Sequence, residues 1–412
     1  MNNLITFFVC FAIFFRLFNP IRVFISGGEA LVMLIPIILI IISDIMFLRK
    51  SSYYLFFVIG IITFLHFIGV DYYSNFIPKC IEMSFAFFCL EHFLVSEDRN
   101  YAKGVLYTSY VTLAILILFS IPQFISIPNL SRILADGEEN ADLDFAYYWT
   151  ISYVFIHHLP VFQIPLFALF QFSTCKLHKY LSLTGILLIA ILMIFADATT
   201  PLLLTFFTLL FFVISKSNKS IYSLLWKFVL IGLVSIVFSS NTVLESSLRA
   251  VQPVFQGSST YKKIDEMVLY LRNKETSGDM EMRKNFYQTS FNSFLENPLY
   301  PEMRENVDRK VIGMHSAIFD NLVAMGLFLF VPFFILLYER YARAKLFLIR
   351  YMPYHIISYL IFIIMGCTKN YILYFSTWFI VPIFLIYLET KAEDDEDIIE
   401  SVDIDNIGHD IP

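Results

Sequence analysis

Long apolar runs separated by short polar connections make up the first 240 residues of this chain, and three more runs follow residue 316. A run of about 17 to 25 apolar residues is long enough to cross a bilayer as an α-helix. Since a membrane requires every backbone polar group to be paired internally, the pattern predicts an all-α, polytopic membrane protein. The twelve predicted spans are 3–18, 28–48, 53–70, 78–95, 104–126, 147–173, 180–196, 199–215, 222–240, 317–338, 351–367 and 370–389.

One long polar segment, residues 240–316, interrupts this pattern and carries ten of the chain's 29 basic residues. Within it, apolar side chains recur at helical spacing over 260–273 and over 280–295, which predicts two amphipathic helices. Asp279 is placed to cap the second helix, and Asn297-Pro298 is expected to end it. Such helices can lie on a membrane surface, although a structural lid explains the first one equally well.

Composition excludes the soluble classes of protein. Hydrophobic residues make up 58% of the chain and charged residues 16%, against roughly 25% charged residues in a soluble domain. The five cysteines are scattered without a CxxC pair, so the spacing indicates neither a disulfide framework nor a zinc site. The acidic connection 127–146 lacks the ligand order of a calcium loop, and a solvated outer loop explains it better. We therefore expect no metal and no cofactor.

The positive charges of the connections predict the orientation of the chain. If the N-terminus is cytoplasmic, the inner connections hold fourteen Lys and Arg residues and the short outer connections hold five. We therefore expect a bacterial inner-membrane protein with both termini cytoplasmic and the long loop in the periplasm. Its predicted regions are spans one to nine over 1–239, the loop over 240–316, spans ten to twelve over 317–390, and an acidic cytoplasmic tail over 391–412.

Three short motifs in the second half of the loop carry the candidate chemistry. Residues 283–290 read RKNFYQTS, Asn297-Pro298-Leu299 follows, and His315-Ser316 opens a run that reaches Gly326-Leu327. In this order and topology they resemble the bacterial O-antigen polymerase and ligase superfamily. Its members carry patterns such as R-x-x-x-[WYF]-x-x-[AS], N-P-L-x-G and H-[NS]-x-[FYL]-x-x-x-L-x-x-x-G-L at the end of a large periplasmic loop.

The resemblance implies a GT-C-like glycosyltransferase that acts on oligosaccharides carried by undecaprenyl pyrophosphate. Arg283 would hold the pyrophosphate, because a guanidinium group is always charged and binds phosphate oxygens bidentately. His315 would accept the proton of the acceptor hydroxyl, since the unperturbed pKa of a histidine side chain lies near neutrality. No glycine-rich phosphate loop is present, so we expect a metal-independent transfer. The simpler explanations are that His315 caps a helix and that Arg283 contacts lipid headgroups.

Two departures from the family pattern affect the proposed chemistry. Tyr300-Pro301 stands where members often have a glycine after Asn-Pro-Leu. Members also often carry an arginine at the outer start of a middle span, where this chain has Asp197-Ala198-Thr199-Thr200-Pro201. Another cation would then have to bind the pyrophosphate. Arg249 is the nearest candidate in sequence, and Lys284 and Lys369 are weaker ones.

Ionisable residues inside predicted spans are further candidates, because charge is costly in a membrane. Glu82 and His157 lie toward the outer halves of their spans and are predicted to line a cavity for the acceptor glycan. Interhelical hydrogen bonding or an interfacial position explains Glu91 and His92 better, since both lie near a cytoplasmic end.

These observations favour a polysaccharide polymerase of O-antigen or capsule biosynthesis, which transfers a growing lipid-linked glycan onto the next lipid-linked repeat unit. The alternative enzyme is an O-antigen ligase, which transfers glycan to lipid A core. A lipid-linked oligosaccharide flippase is the alternative from another class, although no internal repeat supports it. The expected partners are lipid-linked oligosaccharides, membrane lipids, a chain-length regulator and a flippase, with no nucleic acid.

Overall fold

A computed structural model describes residues 1–18, 28–43, 55–57, 59–61, 63, 76–127, 130, 149–196, 198–215, 241–257, 259–273, 278–300, 316–368 and 376–391 of the protein. Every regular element in these ranges is helical, which confirms the predicted all-α class. In chain order the helices are α1 (Asn2–Leu17), α2 (Gly28–Ser43), α3 (Phe76–Ser96), α4 (Arg99–Ser126), α5 (Leu159–Phe172), α6 (Lys176–Phe195), α7 (Thr199–Ser215), α8 (Asn241–Val251), α9 (Ser259–Asn273), α10 (Gly278–Glu296), α11 (Ala317–Lys345), α12 (Met352–Thr368) and α13 (376–391).

Three of these helices are long and apolar enough to cross a membrane, namely α4, α6 and the Ile318–Lys345 part of α11. Shorter apolar helices of 10–17 residues are Asn2–Leu17, Ala30–Ser43, Leu159–Phe172, Thr200–Phe212 and Met352–Cys367. The predicted span 222–240 lies outside the described residues, as does most of the span 53–70. The number of twelve spans therefore stays a prediction.

The helices are apolar on both their inner and their outer faces. Inside the bundle, the buried rings of Phe85 and Phe379 meet edge-on with centroids 5.7 Å apart. Outside it, Leu203, Phe206 and Phe328 are exposed by 65%, 67% and 65%. An apolar surface of this kind is unfavourable in water and suits contact with lipid.

The predicted span 147–173 is not one continuous helix. A short helical turn at Tyr153–Ile156 is followed by a break at His157 and His158, and α5 starts only at Leu159. Pro160 explains the break, because a proline lacks the N–H that a continuing helix needs and clashes with the preceding turn. At the start of α5 the same proline is well tolerated, since the first N–H groups of a helix have no partner within it.

Both helices predicted in the long loop are confirmed, as α9 and α10, but the apolar stripe predicted for α10 does not form one buried face, since Met282 and Phe291 are 46% and 50% exposed. Helix α10 ends at Glu296, directly before Asn297-Pro298, as expected. It begins at Gly278, so Asp279 lies inside the first turn and not at the capping position assigned to it. The sequence prediction missed α8, an eleven-residue helix that packs against α9.

A buried ion cluster joins α3 to the C-terminal part of α11. Arg340 donates to Glu91 over 2.8 Å between Nη1 and Oε2, and Arg343 pairs with the same carboxylate oxygen. Arg340 also lies over the ring of Phe87, with Cζ 5.3 Å from the ring centroid. Glu91 thus has the interhelical bonding role expected for it from its position in the sequence.

Candidate functional site

Helix α10 packs with one face against the start of α11. The Tyr287 ring meets the Phe319 ring with centroids 6.3 Å apart, and Phe294 packs against the buried Val323 and Ala324. Tyr287 and Phe294 are seven residues apart, which is close to two helical turns. The same side of α10 therefore makes both contacts.

The carboxylate of Asp320 lies within this contact and is almost fully buried, at 1% exposure. Its Oδ1 accepts a hydrogen bond from the Ser290 hydroxyl on α10 at 2.7 Å, and its Oδ2 accepts one from the Ser316 backbone N–H at 3.0 Å. Asp320 also stands in the first turn of α11, where the helix dipole favours a negative charge. One side chain thus joins the loop helix to the residue that follows His315 in the chain.

Ser316 ties the same corner to a third helix. Its Oγ accepts from the Phe319 N–H at 3.3 Å, which caps α11, and its hydroxyl donates to the Gly366 carbonyl of α12 at 3.2 Å. A capping serine satisfies one of the N–H groups that a helix start leaves unpaired. Helices α10, α11 and α12 therefore converge on the point where the long loop ends.

The Asn-Pro-Leu motif lies against a break in α11. Gly326 has φ +58° and ψ 172°, a conformation that is open essentially to glycine alone. The break frees two N–H groups, and the Leu327 N–H donates to the Pro298 carbonyl at 2.9 Å. The Phe328 N–H donates to the Leu299 carbonyl at 3.1 Å. A Cβ atom on Gly326 would lie 2.5 Å from the Tyr300 carbonyl carbon, so this backbone approach requires glycine.

Arg283 and His315 are the two residues that the sequence predicts to be catalytic. Arg283 belongs to α10, but its side chain is outside the described part of the structure, as is the whole of His315. Lys284 is described and exposed on α10. Lys369 lies outside the described residues. The roles of these four residues stay predictions, while the helices and motifs that flank Arg283 and His315 are in contact.

Arg249 is on α8 and already has an acidic partner. Its Nε donates to Glu245 Oε1 at 3.0 Å, one turn earlier on the same helix, and its side chain is 45% exposed. Helix α8 packs against α9. A phosphate bound by Arg249 would have to compete with Glu245 for this guanidinium group.

Glu82 forms an ion pair that links α3 to α1. Arg16 Nη2 lies 3.2 Å from Glu82 Oε1 and 3.3 Å from Oε2, and both side chains are mostly buried. A paired carboxylate of this kind costs much less in a membrane than an isolated one. The glycan contact predicted for Glu82 stays a prediction, and the described contact is a helix-to-helix one.

His157 lies in the break before α5 and is 1% exposed. Its Nδ1 is 2.9 Å from the Tyr153 carbonyl oxygen, and the Tyr153 ring lies edge-on with centroids 4.7 Å apart. These contacts turn the imidazole toward its own chain. The two contacts with Tyr153 give His157 a local structural role. The contact with an acceptor glycan predicted for His157 stays a prediction.

The sequence motifs include Ser290 and Ser316, but sequence reasoning did not predict their hydrogen bonds to Asp320. Two signals could have indicated them. Ser290 is a polar residue within the apolar stripe of a predicted amphipathic helix, and Asp320 is an ionisable residue inside a predicted span. A polar position on an otherwise apolar contact face calls for a polar partner on the opposite side.

No family model matches this sequence, and no curated protein matches it at a significant level. The resemblance described above therefore depends on the short motifs and on their order along the chain.

Proposed function

We propose that this protein is a membrane glycosyltransferase that polymerises oligosaccharide repeat units carried on a polyprenyl pyrophosphate, at the outer face of a bacterial inner membrane. It would build an O-antigen or capsule polysaccharide. The donor is the growing lipid-linked glycan, and the acceptor is the next lipid-linked repeat unit.

The observation that supports this proposal most is that separate pieces of the family-like pattern are in contact. The backbone of Asn-Pro-Leu pairs with the α11 backbone directly after Gly326. The face of α10 that carries Ser290 packs on the first turns of α11. Those turns directly follow His315 in the chain. Short motifs that matched by chance would have no reason to pair with one another.

The proposed reaction is a displacement at the anomeric carbon of the donor sugar. The acceptor oxygen forms a bond to that carbon, and the bond from the carbon to the pyrophosphate oxygen breaks. His315 takes the proton of the acceptor hydroxyl, while the electron pair of the broken bond leaves with the pyrophosphate. Arg283 stabilises the charge that develops on this leaving group, which is where a fixed cation lowers the barrier most.

The experiment is a complementation test in a bacterium that makes the repeat unit but lacks its polymerase. His315→Ala and Arg283→Ala are expected to abolish the polymer ladder on a gel while the protein accumulates normally in the membrane. The controls are His178→Ala and Lys262→Ala, which remove a histidine and a basic residue elsewhere and are expected to keep the ladder. Full-length polymer from both His315→Ala and Arg283→Ala would contradict the proposal.

The products also separate the alternatives. Loss of a polymerase leaves single repeat units attached to the lipid A core, whereas loss of a ligase leaves polymer that is not attached to the core. Loss of a flippase prevents the lipid-linked repeat units from reaching the outer face at all. Single repeat units on the core are the result that we expect.

A further inference from the structure

We propose that a surface of the long loop is inserted into the lipid bilayer beside α11. This surface, which we call the loop patch, consists of Phe291 and Leu295 on α10 and of Leu299 and Tyr300 shortly after it. Its partner is the hydrocarbon of the membrane and not another protein. The proposal goes beyond the proposed function and does not depend on it, since it involves only the fold and the bilayer.

The loop patch is made of large side chains that are open to the surroundings of the protein. Phe291 and Leu295 are about one turn apart and are 50% and 59% exposed. Leu299 and Tyr300 are 55% and 65% exposed. The Leu299 carbonyl is bonded to Phe328, which is itself 65% exposed on a helix apolar enough to cross a membrane. The loop patch therefore adjoins a surface that suits contact with lipid.

The pairing of the Asn-Pro-Leu motif with α11 sets the level of the loop patch relative to the membrane. Residues 321–338 of α11 contain no charged residue. A helix of that length rises about 27 Å, which is close to the thickness of about 30 Å of the hydrocarbon core. Leu327 and Phe328, whose N–H groups bond to the motif, lie inside this uncharged stretch. The motif is therefore level with the apolar part of α11.

The backbone of the motif meets the requirement that a bilayer imposes on a non-helical segment, which is that its polar groups are paired within the protein. The Asn297 N–H donates to the Ser293 carbonyl at 3.2 Å, and Pro298 has no N–H. The Pro298 and Leu299 carbonyls accept hydrogen bonds from α11 at 2.9 and 3.1 Å. The break at Gly326 provides both of these donors. A segment surrounded by water would not need them, because water would pair the same carbonyls.

The exposed side of α10 also has a polar edge, which indicates how the helix lies at the membrane. Gln288, Asn292 and Glu296 are exposed and follow one another at intervals of about one turn. They form a row beside the one that contains Phe291 and Leu295. A helix with an apolar row and a polar row lies along the boundary of a membrane, with the apolar row in lipid and the polar row toward water.

The test introduces a photoreactive benzophenone amino acid into the full-length protein, in place of Leu295, Leu299 or Asn292. The protein is reconstituted in vesicles of phosphatidylethanolamine and phosphatidylglycerol and illuminated. Asn292 is the matched control, because it is exposed on the same helix within one turn of Leu295 but belongs to the polar row. The mass of the intact protein shows whether a phospholipid has been attached, and a denaturing gel shows whether two protein chains have been joined.

We expect the probe at Leu295 and at Leu299 to attach phospholipid with about fivefold or more the yield of the probe at Asn292, because only the apolar row contacts acyl chains. A yield at Leu295 and Leu299 that is no higher than at Asn292 overturns the proposal, since the loop patch would then lie in water. Joined protein chains as the main product overturn it too, because the loop patch would then be an interface with a second copy. Neither result depends on polymerisation, so the loop patch and the proposed function are tested separately.

Discussion

The two ends of α11 are held by carboxylates in opposite ways. At the N-terminal end, Asp320 accepts hydrogen bonds from two neutral donors, the Ser290 hydroxyl and the Ser316 N–H. At the C-terminal end, Glu91 is shared by two guanidinium groups, those of Arg340 and Arg343. Both arrangements agree with the helix dipole, which favours an acid at the start of a helix and bases at its end.

The difference lies in what each end connects. The Glu91 cluster joins two apolar helices of the bundle, and Glu91 and Arg340 are each 1% exposed, so removing Glu91 takes the shared carboxylate away from two guanidinium groups. The Asp320 cluster joins a loop helix to the bundle, and the two donors named above are neutral, so removing either donor takes away no opposite charge. We infer that the C-terminal end of α11 contributes mainly to stability and the N-terminal end mainly to the geometry of the proposed reaction.

Glu91→Ala is expected to have the largest effect on stability. Arg340 is 1% exposed and would be left close to Arg343 without an acid between them. Breaking a buried pair in this way costs about 3 to 5 kcal/mol. Thermal unfolding of the purified protein in detergent measures the loss. Glu97→Ala, an exposed acid at the end of the same helix, is the control, and equal melting temperatures for the two variants would contradict this account of the C-terminal end.

Gly326→Ala is expected to have the next largest effect. The new Cβ atom would lie 2.5 Å from the Tyr300 carbonyl carbon, and a positive φ adds about 1 to 2 kcal/mol of strain. We expect a loss of at least about 2 kcal/mol, with displacement of residues 297–300 and loss of polymer. Gly60→Ala is the control, since nothing lies within 4 Å of its Cβ position. A Gly326→Ala protein with normal polymer would show that the motif contact is dispensable.

Ser290→Ala tests the N-terminal end of α11, where Ser290 bonds to Asp320. It removes one hydrogen bond to a buried carboxylate, which costs about 1.5 to 3 kcal/mol. Its melting temperature should therefore fall less than that of Glu91→Ala, while its polymerisation rate per folded molecule should fall more. The reverse order of these two effects would contradict the division of roles between the two ends of α11.

Arg249→Ala is expected to change stability by less than about 0.5 kcal/mol. Its ion pair with Glu245 is exposed and lies within one helix, and pairs of this type contribute little. The melting temperature is the measurement, with Lys262→Ala as the control. A loss of polymer at an unchanged melting temperature would then report a contact with substrate, which is the role predicted for Arg249 from the sequence.

A labelling experiment tests whether the two ends of α11 face opposite sides of the membrane, without affecting stability. Cys175 is exposed between α5 and α6, and hydrogen bonds from the His178 and Leu177 N–H groups lower its pKa, which increases the reactive thiolate. A membrane-impermeant thiol reagent should label it only after the cells are opened, and Cys175→Ser should lose that signal. Asn292→Cys on α10, in the Cys175→Ser background, should be labelled in intact cells. Labelling of Cys175 in intact cells would contradict the predicted orientation.

Helices whose apolar spacing and end signals lie in neighbouring residues could be predicted from the sequence. The apolar stripe over 280–295 predicted α10 to within two residues at its start and one at its end, and Asn297-Pro298 correctly marked where it ends. The break at His157 and His158 was missed because the apolar run continues through it, and the signal was a single proline at position 160.

Contacts between distant residues could not be predicted in the same way. Glu91 and Arg340 are 249 positions apart, and Ser290 and Asp320 are 30 apart, so neither pairing follows from a periodic pattern. Glu82 is an example, since the structure pairs it with Arg16, a contact that its position in the sequence did not indicate. A polar residue within an apolar run indicates that a partner exists, but the fold decides which one.

The most direct test of the proposed function uses the purified protein in lipid with lipid-linked repeat units, without nucleotide sugars and with metal ions chelated. We predict that glycan chains lengthen with time, that polyprenyl pyrophosphate is released in step, and that His315→Ala gives neither product. Lengthening at the parent rate by His315→Ala, or no lengthening by a parent protein that is folded and supplied with its repeat unit, would contradict the account.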